Sequence, residues 1–184
     1  MTKEMILGPC TMGFKLNLAS GTDVRPGWVN LDIVPLWPGM AYGCDLIWDA
    51  RTDRIPIDDN SADMVYAGYL LMHLAPMYHT RVLAEIKRVL GPEKVFCVGE
   101  VDMNIVMDRF LKDPTNERLC ELIWGEQGTI YDGKFAEFDK HCHGFTEDSL
   151  KKLLESNGFT GLQRTSIHDP NVFYELTMLC KKVI

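Results

Sequence analysis

The chain has 184 residues, of which 46% are hydrophobic and 24% are charged, as is typical of one globular domain with its own core. Its formal net charge of −7 argues against sequence-independent binding to nucleic acid, which needs an excess of lysine and arginine. The six cysteines include no C-x-x-C pair, so we expect free thiols in a cytoplasmic protein. We expect neither a secretory signal peptide nor a membrane-spanning segment.

Short apolar segments separated by turn-forming residues predict four strands at the start of the chain. They cover residues 15–19, 28–33, 44–48 and 62–67. Only six residues separate Gly21 from Trp28, whereas a crossover between parallel strands usually takes a dozen or more. Either the first helix is reduced to a turn, or the strand boundaries lie a few residues away.

Helical periodicity begins after the fourth strand. A helix is predicted over 78–90, with Pro76 in its first turn and Gly91 and Pro92 as its stop. The remaining elements are a strand at 95–99, helices at 103–111, 119–123 and 147–157, and strands at 160–167 and 172–181. Residues 126–144 show no clear period and are predicted to form a loop or cap.

Candidate ligand-binding residues follow the ends of the predicted strands. In an open α/β sheet, ligands bind at the carboxyl ends of the strands, near the point where strand order reverses. The residues in those places are Ala19-Ser20-Gly21, Asp32, Asp49-Ala50 and Tyr66 to Tyr69. Small residues let a ligand approach the backbone, and the carboxylate of Asp32 can accept two hydrogen bonds from a ribose diol. Each residue alone also fits an ordinary turn or cap, but their order along the chain favours one shared site.

An ordered set of motifs is similar to a known family. It consists of KLNLASG at 15–21, PGWVNLD at 26–32, Asp49, Ile55-Pro56, DNSAD at 59–63, MHL at 72–74, RVL-x-P at 88–92, HGFT at 143–146, Leu150, Leu153-Leu154 and Gly158-Phe159. With these motifs, residues 15 to about 160 resemble class I S-adenosylmethionine-dependent methyltransferases. Within them, the closest resemblance is to a small branch with Gly-Trp-x-Asn-x-Asp after the first loop. That branch tolerates a short first connection.

The resemblance implies a fold and a cofactor. The fold would be α/β and Rossmann-like: a doubly wound, three-layer αβα arrangement with a mostly parallel seven-stranded sheet and an antiparallel C-terminal strand. Residues 1–184 would form a single methyltransferase-like domain, with 103–143 as a helical and loop cap over the substrate side. The cofactor would be S-adenosylmethionine, and S-adenosylhomocysteine would be its product.

The resemblance also implies the role of each candidate residue. The cofactor-binding residues would be Ala19, Ser20, Gly21, Asp32, Asp49, Ala50, Tyr66, Ala67 and Gly68. The first three form the loop that faces the methionine part, Asp32 would bind the ribose hydroxyls, and Asp49 would accept from the adenine amino group. The residues of the fourth strand would line the sulfonium end.

His73 and Tyr69 are the candidate catalytic residues, because they follow the fourth strand where acceptor and cofactor should meet. The pKa range of histidine suits a general base near neutral pH. Alternatively, His73 packs at the head of a helix and positions the backbone. His141-Cys142-His143 looks like a metal cluster, but no fourth ligand stands at a suitable spacing, so we predict no metal.

Departures from the family pattern keep other functions open. Ala19 replaces the first glycine of the usual Gly-x-Gly, and Met72 replaces the glutamate of the usual Glu-His-Leu. The predicted function is methyl transfer to a small-molecule or sugar-type acceptor, without a nucleic acid or membrane partner. One alternative is a noncatalytic domain that keeps the fold. A nicotinamide-dependent oxidoreductase fits less well, because Pro26 interrupts the place of its glycine fingerprint.

Aromatic residues are concentrated in and beside the predicted cap. They are Trp124, Tyr131, Phe135 and Phe138. These residues form either a lid on the substrate site or a hydrophobic cover for the sheet edge, and the sequence does not distinguish the two.

Overall fold

The computed structural model describes residues 13–33, 44–125, 138–165 and 174–182. Within them, one seven-stranded sheet consists of β1 (Phe14–Leu18), β2 (Val29–Asp32), β3 (Leu46–Ile47), β4 (Ala62–Gly68), β5 (Leu90–Val101), β6 (Phe159–Thr165) and β7 (Glu175–Lys182). The strand order is β3-β2-β1-β4-β5-β7-β6. Strand β7 runs antiparallel to β5 and β6, and the other neighbours are parallel. The predicted Rossmann-like sheet with an antiparallel C-terminal strand is confirmed.

Each helix begins within two residues of its predicted start. They are α1 (Pro76–Val89), α2 (Met103–Lys112), α3 (Glu117–Trp124) and α4 (Glu147–Ser156), and a 3-10 turn covers Leu71–His73. Pro76 occupies the first turn of α1, where its missing N–H costs nothing. The side chains of Asp102, Asn116 and Thr146 accept hydrogen bonds from the first amides of α2, α3 and α4.

The main core covers one face of the sheet. Leu16, Val65, Phe96 and Cys180 are in-register neighbours on four adjacent strands, and each is at most 1% exposed. Apolar side chains of α1 and α4 pack in the same cluster as these residues. Burial of each large apolar side chain is worth about 1.5–3 kcal/mol, so this face supplies most of the stabilisation of the sheet.

The connection between β1 and β2 contains no helix. Residues 19–28 form a loop of turns and bends. Of the two alternatives for this short connection, the structure therefore supports the first: the helix is reduced to a turn. The strands themselves lie within one residue of their predicted starts.

The connection between β3 and β4, residues 48–61, is also without a helix and is tied to α1 instead. Arg81 donates to the carbonyl of Ala50 at 2.9 Å, and Arg88 donates to the carbonyl of Ile55 at 2.7 Å. Arginines on α1 thus fix the segment that carries Asp49 and Ala50.

Two strands differ in length from their predictions. Strand β3 has two residues rather than five. Strand β5 begins at Leu90 rather than residue 95, because the β4–β5 pairing continues through a shift of register between Ala62 and Met64. Within that irregular stretch Glu93 has a φ of +59°. The sequence pattern of Gly91 and Pro92 indicated a break, whereas the structure has a bulge there.

Helices α2 and α3 form a second, smaller cluster. Its buried residues are Met72, Val101, Val106, Leu119 and Leu122. Residues 126–137 of the predicted cap, including Tyr131 and Phe135, lie outside the described residues. In the part of the chain that is described, five cysteines carry free thiols, and no helix there is long and apolar enough to cross a membrane.

Candidate functional site

A cavity of about 520 Å³ lies at the carboxyl ends of the first four strands, where strand order reverses between β1 and β4. Its volume falls in the usual range of small-molecule sites. The predicted residues that line it are Ala19, Ser20, Gly21, Asp32, Asp49, Ala50, Tyr66, Gly68, Tyr69 and His73. Ala67 differs from its prediction: it is fully buried in the main core, because alternate residues of a strand face opposite sides of the sheet.

Two buried asparagines hold the loop 19–28 in place. The Oδ1 atom of Asn30 accepts from Nδ2 of Asn17 at 3.0 Å and from the amide of Arg25 at 2.9 Å. Nδ2 of Asn17 also donates to the carbonyl of Asp23 at 2.6 Å. Both asparagines are at most 3% exposed. Side-chain amides of β1 and β2 therefore satisfy the loop backbone that a helix would otherwise satisfy internally.

Asp32 fixes the start of this loop. Its Oδ2 accepts from the amide of Gly21 at 2.8 Å, and the amide of Ser20 donates to the carbonyl of Leu31 at 3.0 Å. Gly21 has a φ of +48° and Ala19 a φ of +51°. Glycine adopts this left-handed region freely, whereas alanine does so at a cost of about 1–2 kcal/mol. Ala19 thus holds a backbone conformation that favours glycine.

Two buried polar atoms have no hydrogen-bond partner among the described residues: Oγ of Ser20 and Oδ1 of Asn17. Both residues line the cavity. A buried polar atom without a partner costs about 1–3 kcal/mol, so each such atom in a native fold calls for an explanation. Both oxygens are shielded from the empty cavity, so a ligand that carries hydrogen-bond donors would pair with them only if the two side chains turned towards it.

Asp49 presents an ionised carboxylate to another part of the cavity. Arg51 contacts it with two nitrogens, at 2.9 Å from Nε to Oδ1 and 2.7 Å from Nη2 to Oδ2. These hydrogen bonds from Arg51 lower the pKa of Asp49. The guanidinium of Arg51 also lies 5.3 Å from the ring centroid of Phe138, which lines the cavity.

The turn at residues 69–74 forms a further part of the cavity wall. Tyr69 has a φ of +57°, and its amide donates to the carbonyl of Gly99 at 2.6 Å. Glu100, on β5, is completely buried, and its two carboxyl oxygens accept from the amides of Leu71 and Met72 at 2.9 and 3.2 Å. Burial raises the pKa of Glu100 to about 8.

The segment 138–143 is docked against this turn. The amides of Cys142 and His143 donate to the carbonyl of Met72 at 2.7 and 3.1 Å. Phe138 and Asp139 line the cavity, which is the position expected of residues in a lid. Trp124 instead packs edge-on against Phe110 and remains about half exposed.

His73 is held in one tautomer. Its Nδ1 lies 3.3 Å from the carbonyl oxygen of Lys140, which can only accept, so Nδ1 carries the proton and Nε2 the lone pair. The ring of His73 meets that of His141 edge-on at 4.9 Å. Burial lowers the pKa of His73, and it lowers the pKa of His141 to about 4. His73 is therefore neutral at pH 7, the state that a general base requires.

Tyr69 is a poor base, because burial raises its pKa well above its ordinary value. Burial also raises the pKa of Tyr66, and the guanidinium of Arg25 stacks 3.7 Å from the Tyr66 ring centroid. Both phenols therefore stay protonated at neutral pH, so they can donate hydrogen bonds but cannot take up a proton.

The three residues His141-Cys142-His143 do not converge on one point. Nδ1 of His141 lies 3.0 Å from the carbonyl oxygen of Leu122, whereas the ring of His143 packs against Phe145. Among the described residues, no three histidine, cysteine or acidic side chains are grouped so that they could hold a metal ion.

The structures most similar to this chain include several methyltransferases. The CurJ carbon methyltransferase aligns with a TM-score of 0.61 and 15% identity over 96% of this chain and 50% of its own. A Thermotoga maritima protein described as a SAM-dependent methyltransferase, possible histamine N-methyltransferase, aligns with a TM-score of 0.58 and 15% identity over 95% and 84%. The chain has the Rossmann-like methyltransferase fold. Human N-acetylserotonin methyltransferase in complex with SAM also aligns, with a TM-score of 0.57 and 17% identity over 93% of this chain and 48% of its own.

The sequence comparisons are narrower than the structural ones. The family model described as a methyltransferase domain matches residues 41–98, less than half of the chain. A search of the curated proteins finds no significant match. The chain spans about half the length of CurJ and of the human enzyme. The methyltransferase fold is therefore shown by three-dimensional similarity at low sequence identity.

Sequence reasoning missed three residues that shape the site: Asn17, Arg81 and Glu100. Asn17 stands in the motif KLNLASG, in which only the small residues at its end indicate a ligand site. Arg81 acts through the backbone carbonyl of Ala50, which no sequence pattern indicates. Glu100 had one available signal, since it is a single acidic residue at the end of an otherwise apolar run on β5.

Proposed function

We propose that this chain is an S-adenosylmethionine-dependent methyltransferase that acts on a small-molecule or sugar-type acceptor. The observation that carries the proposal is the cavity at the switch point of a methyltransferase fold, lined with oxygen acceptors. The carboxylates of Asp32 and Asp49 supply these acceptors, and the two unpartnered oxygens belong to Ser20 and Asn17, which also line the cavity. An acceptor-rich cavity suits a cationic ligand that carries hydroxyl and amino groups.

The residues present fit this cofactor group by group. Asp32 would accept from the ribose hydroxyls, Asp49 would accept from the adenine amino group, and Ser20 and Asn17 would accept from the ammonium group. Tyr66 and Gly68 line the part of the cavity proposed for the sulfonium end. When bound, S-adenosylmethionine supplies a methyl group on a positively charged sulfur, which is a good leaving group.

The protein would then mainly align the acceptor and exclude water. We call the loop 19–28, Asp32 and Asp49 the cofactor side, and we call the 69–74 turn and the 138–143 segment the acceptor side. On the acceptor side, Nε2 of His73 would take the proton that an acceptor hydroxyl or amine loses. Tyr69, which stays protonated, would orient the acceptor by donating a hydrogen bond.

A noncatalytic binding domain with the same fold is the second candidate. It is favoured by Met72, which takes the place of an acidic residue in the acceptor-side turn and is buried in the cluster with α2 and α3. Because residue 72 is a methionine, it supplies no carboxylate to the reaction. In this case the cofactor would bind, but no methyl group would be transferred.

Calorimetry with S-adenosylmethionine and S-adenosylhomocysteine tests the first part of the proposal. Asp32→Ala should weaken binding by about 100-fold, because two hydrogen bonds to a charged acceptor are lost. Asp108→Ala, a carboxylate 65% exposed on α2, is the matched control and should bind as the wild type does. If the wild type bound NAD but neither methionine derivative, the oxidoreductase alternative would replace the proposal.

Transfer of a labelled methyl group to a panel of sugars and small hydroxyl or amine compounds tests the second part. His73→Ala should lower turnover at least 10-fold and leave cofactor affinity within about twofold if it is the base. Cofactor binding with no transfer to any acceptor, together with a bound structure in which the methyl group is covered, would favour the noncatalytic candidate.

A further inference from the structure

Glu100 is a buried acid that the proposed chemistry does not use. It is 0% exposed, does not line the cavity, and pairs in register with Leu176 of β7, which is also completely buried. Its carboxyl oxygens accept from the amides of Leu71 and Met72. Among the described residues, no arginine or lysine forms an ion pair with it.

An apolar residue would fill this place at lower cost, because burial of a carboxyl group is unfavourable unless its partners compensate. Glu100 therefore contributes through the backbone groups that its carboxyl oxygens bind. The amides of Leu71 and Met72 begin the 3-10 turn, where amides lack partners within the turn itself. Glu100 supplies both of those partners.

The acceptor side depends on these two hydrogen bonds. The turn that they hold carries Tyr69 and His73, which line the cavity. The amide of Tyr69 is bonded to the carbonyl of Gly99, so two successive residues of β5 hold the turn. The carbonyl of Met72 in turn accepts from two amides of the 138–143 segment. One side chain thus connects the sheet to both parts of the acceptor side.

We propose that Glu100 is a positioning residue, which holds the 69–74 turn and, through Met72, the 138–143 segment in place against the cavity. It acts through backbone amides and touches neither ligand. The name acceptor side rests on the proposed function, but the hold on these two segments does not.

The protonation state of Glu100 should change the strength of this hold. The ionised group offers acceptors on both oxygens, whereas the protonated group carries a hydroxyl that is also a donor. Burial raises the pKa of Glu100 to about 8. Tyr69, in the turn, is the titratable group whose pKa Glu100 helps to raise. Glu175, which also acts on Tyr69, follows on the neighbouring strand, but its carboxyl group lies beside Gly99 on the other face of the sheet. Leu71 and Met72, which face Glu100 from the 3-10 turn, are uncharged.

Amide NMR of the full chain without any ligand tests the proposal. In the wild type, the amide proton signals of Leu71 and Met72 should move downfield together between pH 6.5 and 9.5, with one common midpoint. Glu100→Gln should abolish this titration and speed hydrogen exchange at least 10-fold at Leu71, Met72, Cys142 and His143. The exchange of Leu18, in the centre of the sheet, should change less than twofold. Glu155→Gln, at an exposed position on α4, is the matched control.

Two results would overturn the proposal. One is a folded Glu100→Gln variant in which Leu71 and Met72 exchange no faster than in the wild type. The other is an equal gain in exchange at Leu18, because Glu100 would then stabilise the fold in general. If Glu100→Gln does not fold, hydrogen exchange of the wild type decides alone: exchange at Leu71 and Met72 as fast as at exposed turn amides would overturn the proposal. Since no cofactor or acceptor is present, failure here is distinct from failure to bind S-adenosylmethionine.

Discussion

The two sides of the cavity are built over different distances along the chain. On the cofactor side, the hydrogen bonds that hold the loop join residues 13 positions apart, Asn17 to Asn30, and 11 positions apart, Gly21 to Asp32. On the acceptor side, Glu100 reaches Leu71 across 29 positions, and His73 reaches Lys140 across 67. A hydrogen-bond network between nearby residues is visible in the sequence as a motif. A network between distant residues consists of single residues that no motif connects.

The two sides also differ in charge. Arg51 keeps Asp49 ionised on the cofactor side, where the carboxylates would meet a cationic ligand. On the acceptor side, burial lowers the pKa of His73 and His141 and raises that of Glu100. Burial therefore favours the uncharged form of all three groups near pH 7. Of these three groups only His73 lines the cavity, and its neutral ring costs less to desolvate than a charged one would.

The largest effect should come from Asn30→Ala, which removes the centre of the local network. Asn30 accepts two hydrogen bonds and donates to Asp45. The change leaves the backbone amide of Arg25 without its acceptor and Nδ2 of Asn17 with the carbonyl of Asp23 alone. We expect a loss of about 3 kcal/mol in the free energy of unfolding. Cofactor affinity should fall at least 10-fold. Urea denaturation and calorimetry measure the two quantities.

Asn104→Ala is the matched control, because Asn104 is exposed on α2. It should change stability by no more than about 0.5 kcal/mol. Equal stability of the two variants would mean that Asn30 does not hold the loop, and the contrast between a local and a long-range side would lose its basis.

The local side was largely predictable from sequence. Strand ends marked by Gly21, Asp32 and Asp49 are short-range signals, and the rule for open α/β sheets predicts that they meet. The strands and helices followed from apolar periodicity for the same reason. Even here Ala67 was misplaced, because assigning a whole strand end to the cavity ignores the alternation of its side chains.

The acceptor side was not predictable in the same way. The role of Glu100 depends on the exact register of β5 with β4, which a bulge alters upstream. The docking of 138–143 depends on the backbone carbonyl of Met72. Every residue has such a carbonyl, so the sequence does not indicate which one the segment will contact. His73 was identified, but its tautomer and neutral state follow from Lys140 and from burial, which only the folded chain shows.

Burial of His141 on the acceptor side should make the protein sensitive to acid. The pKa of His141 is about 4 in the folded state, below the value of about 6.5 for an unfolded chain. Between these values the unfolded state binds more protons, so stability falls as the pH drops from 6.5 to 4. The slope for this histidine is at most about 1.4 kcal/mol per pH unit.

His141→Gln should remove this contribution, because glutamine does not titrate and can still donate to the carbonyl of Leu122. Urea unfolding at pH 4.5, 5.5 and 7.5 measures it: the variant should lose less stability than the wild type below pH 6.5. Above pH 6.5 the free energies of unfolding of the two proteins should change with pH in the same way, which serves as the internal control. If both proteins lost equal stability below pH 6.5, burial of His141 would not penalise its charged form.

The smallest effect should come from Ala19→Gly, and it tests the cofactor side at its most strained residue. At a φ of +51°, alanine costs about 1–2 kcal/mol, while glycine gives back about 0.4–1 kcal/mol through the greater entropy of the unfolded chain. A net gain in stability of about 0.5–1 kcal/mol should remain. The reciprocal change Gly21→Ala, at a φ of +48°, should destabilise by a similar amount or more.

The cofactor affinity of Ala19→Gly separates two causes of the strain. If the variant binds the cofactor severalfold more tightly, the alanine methyl crowds the ligand. If it gains stability with unchanged affinity, the strain is confined to the backbone. A loss of stability would contradict the left-handed conformation of Ala19 itself, and with it the close local fit that separates this side from the other.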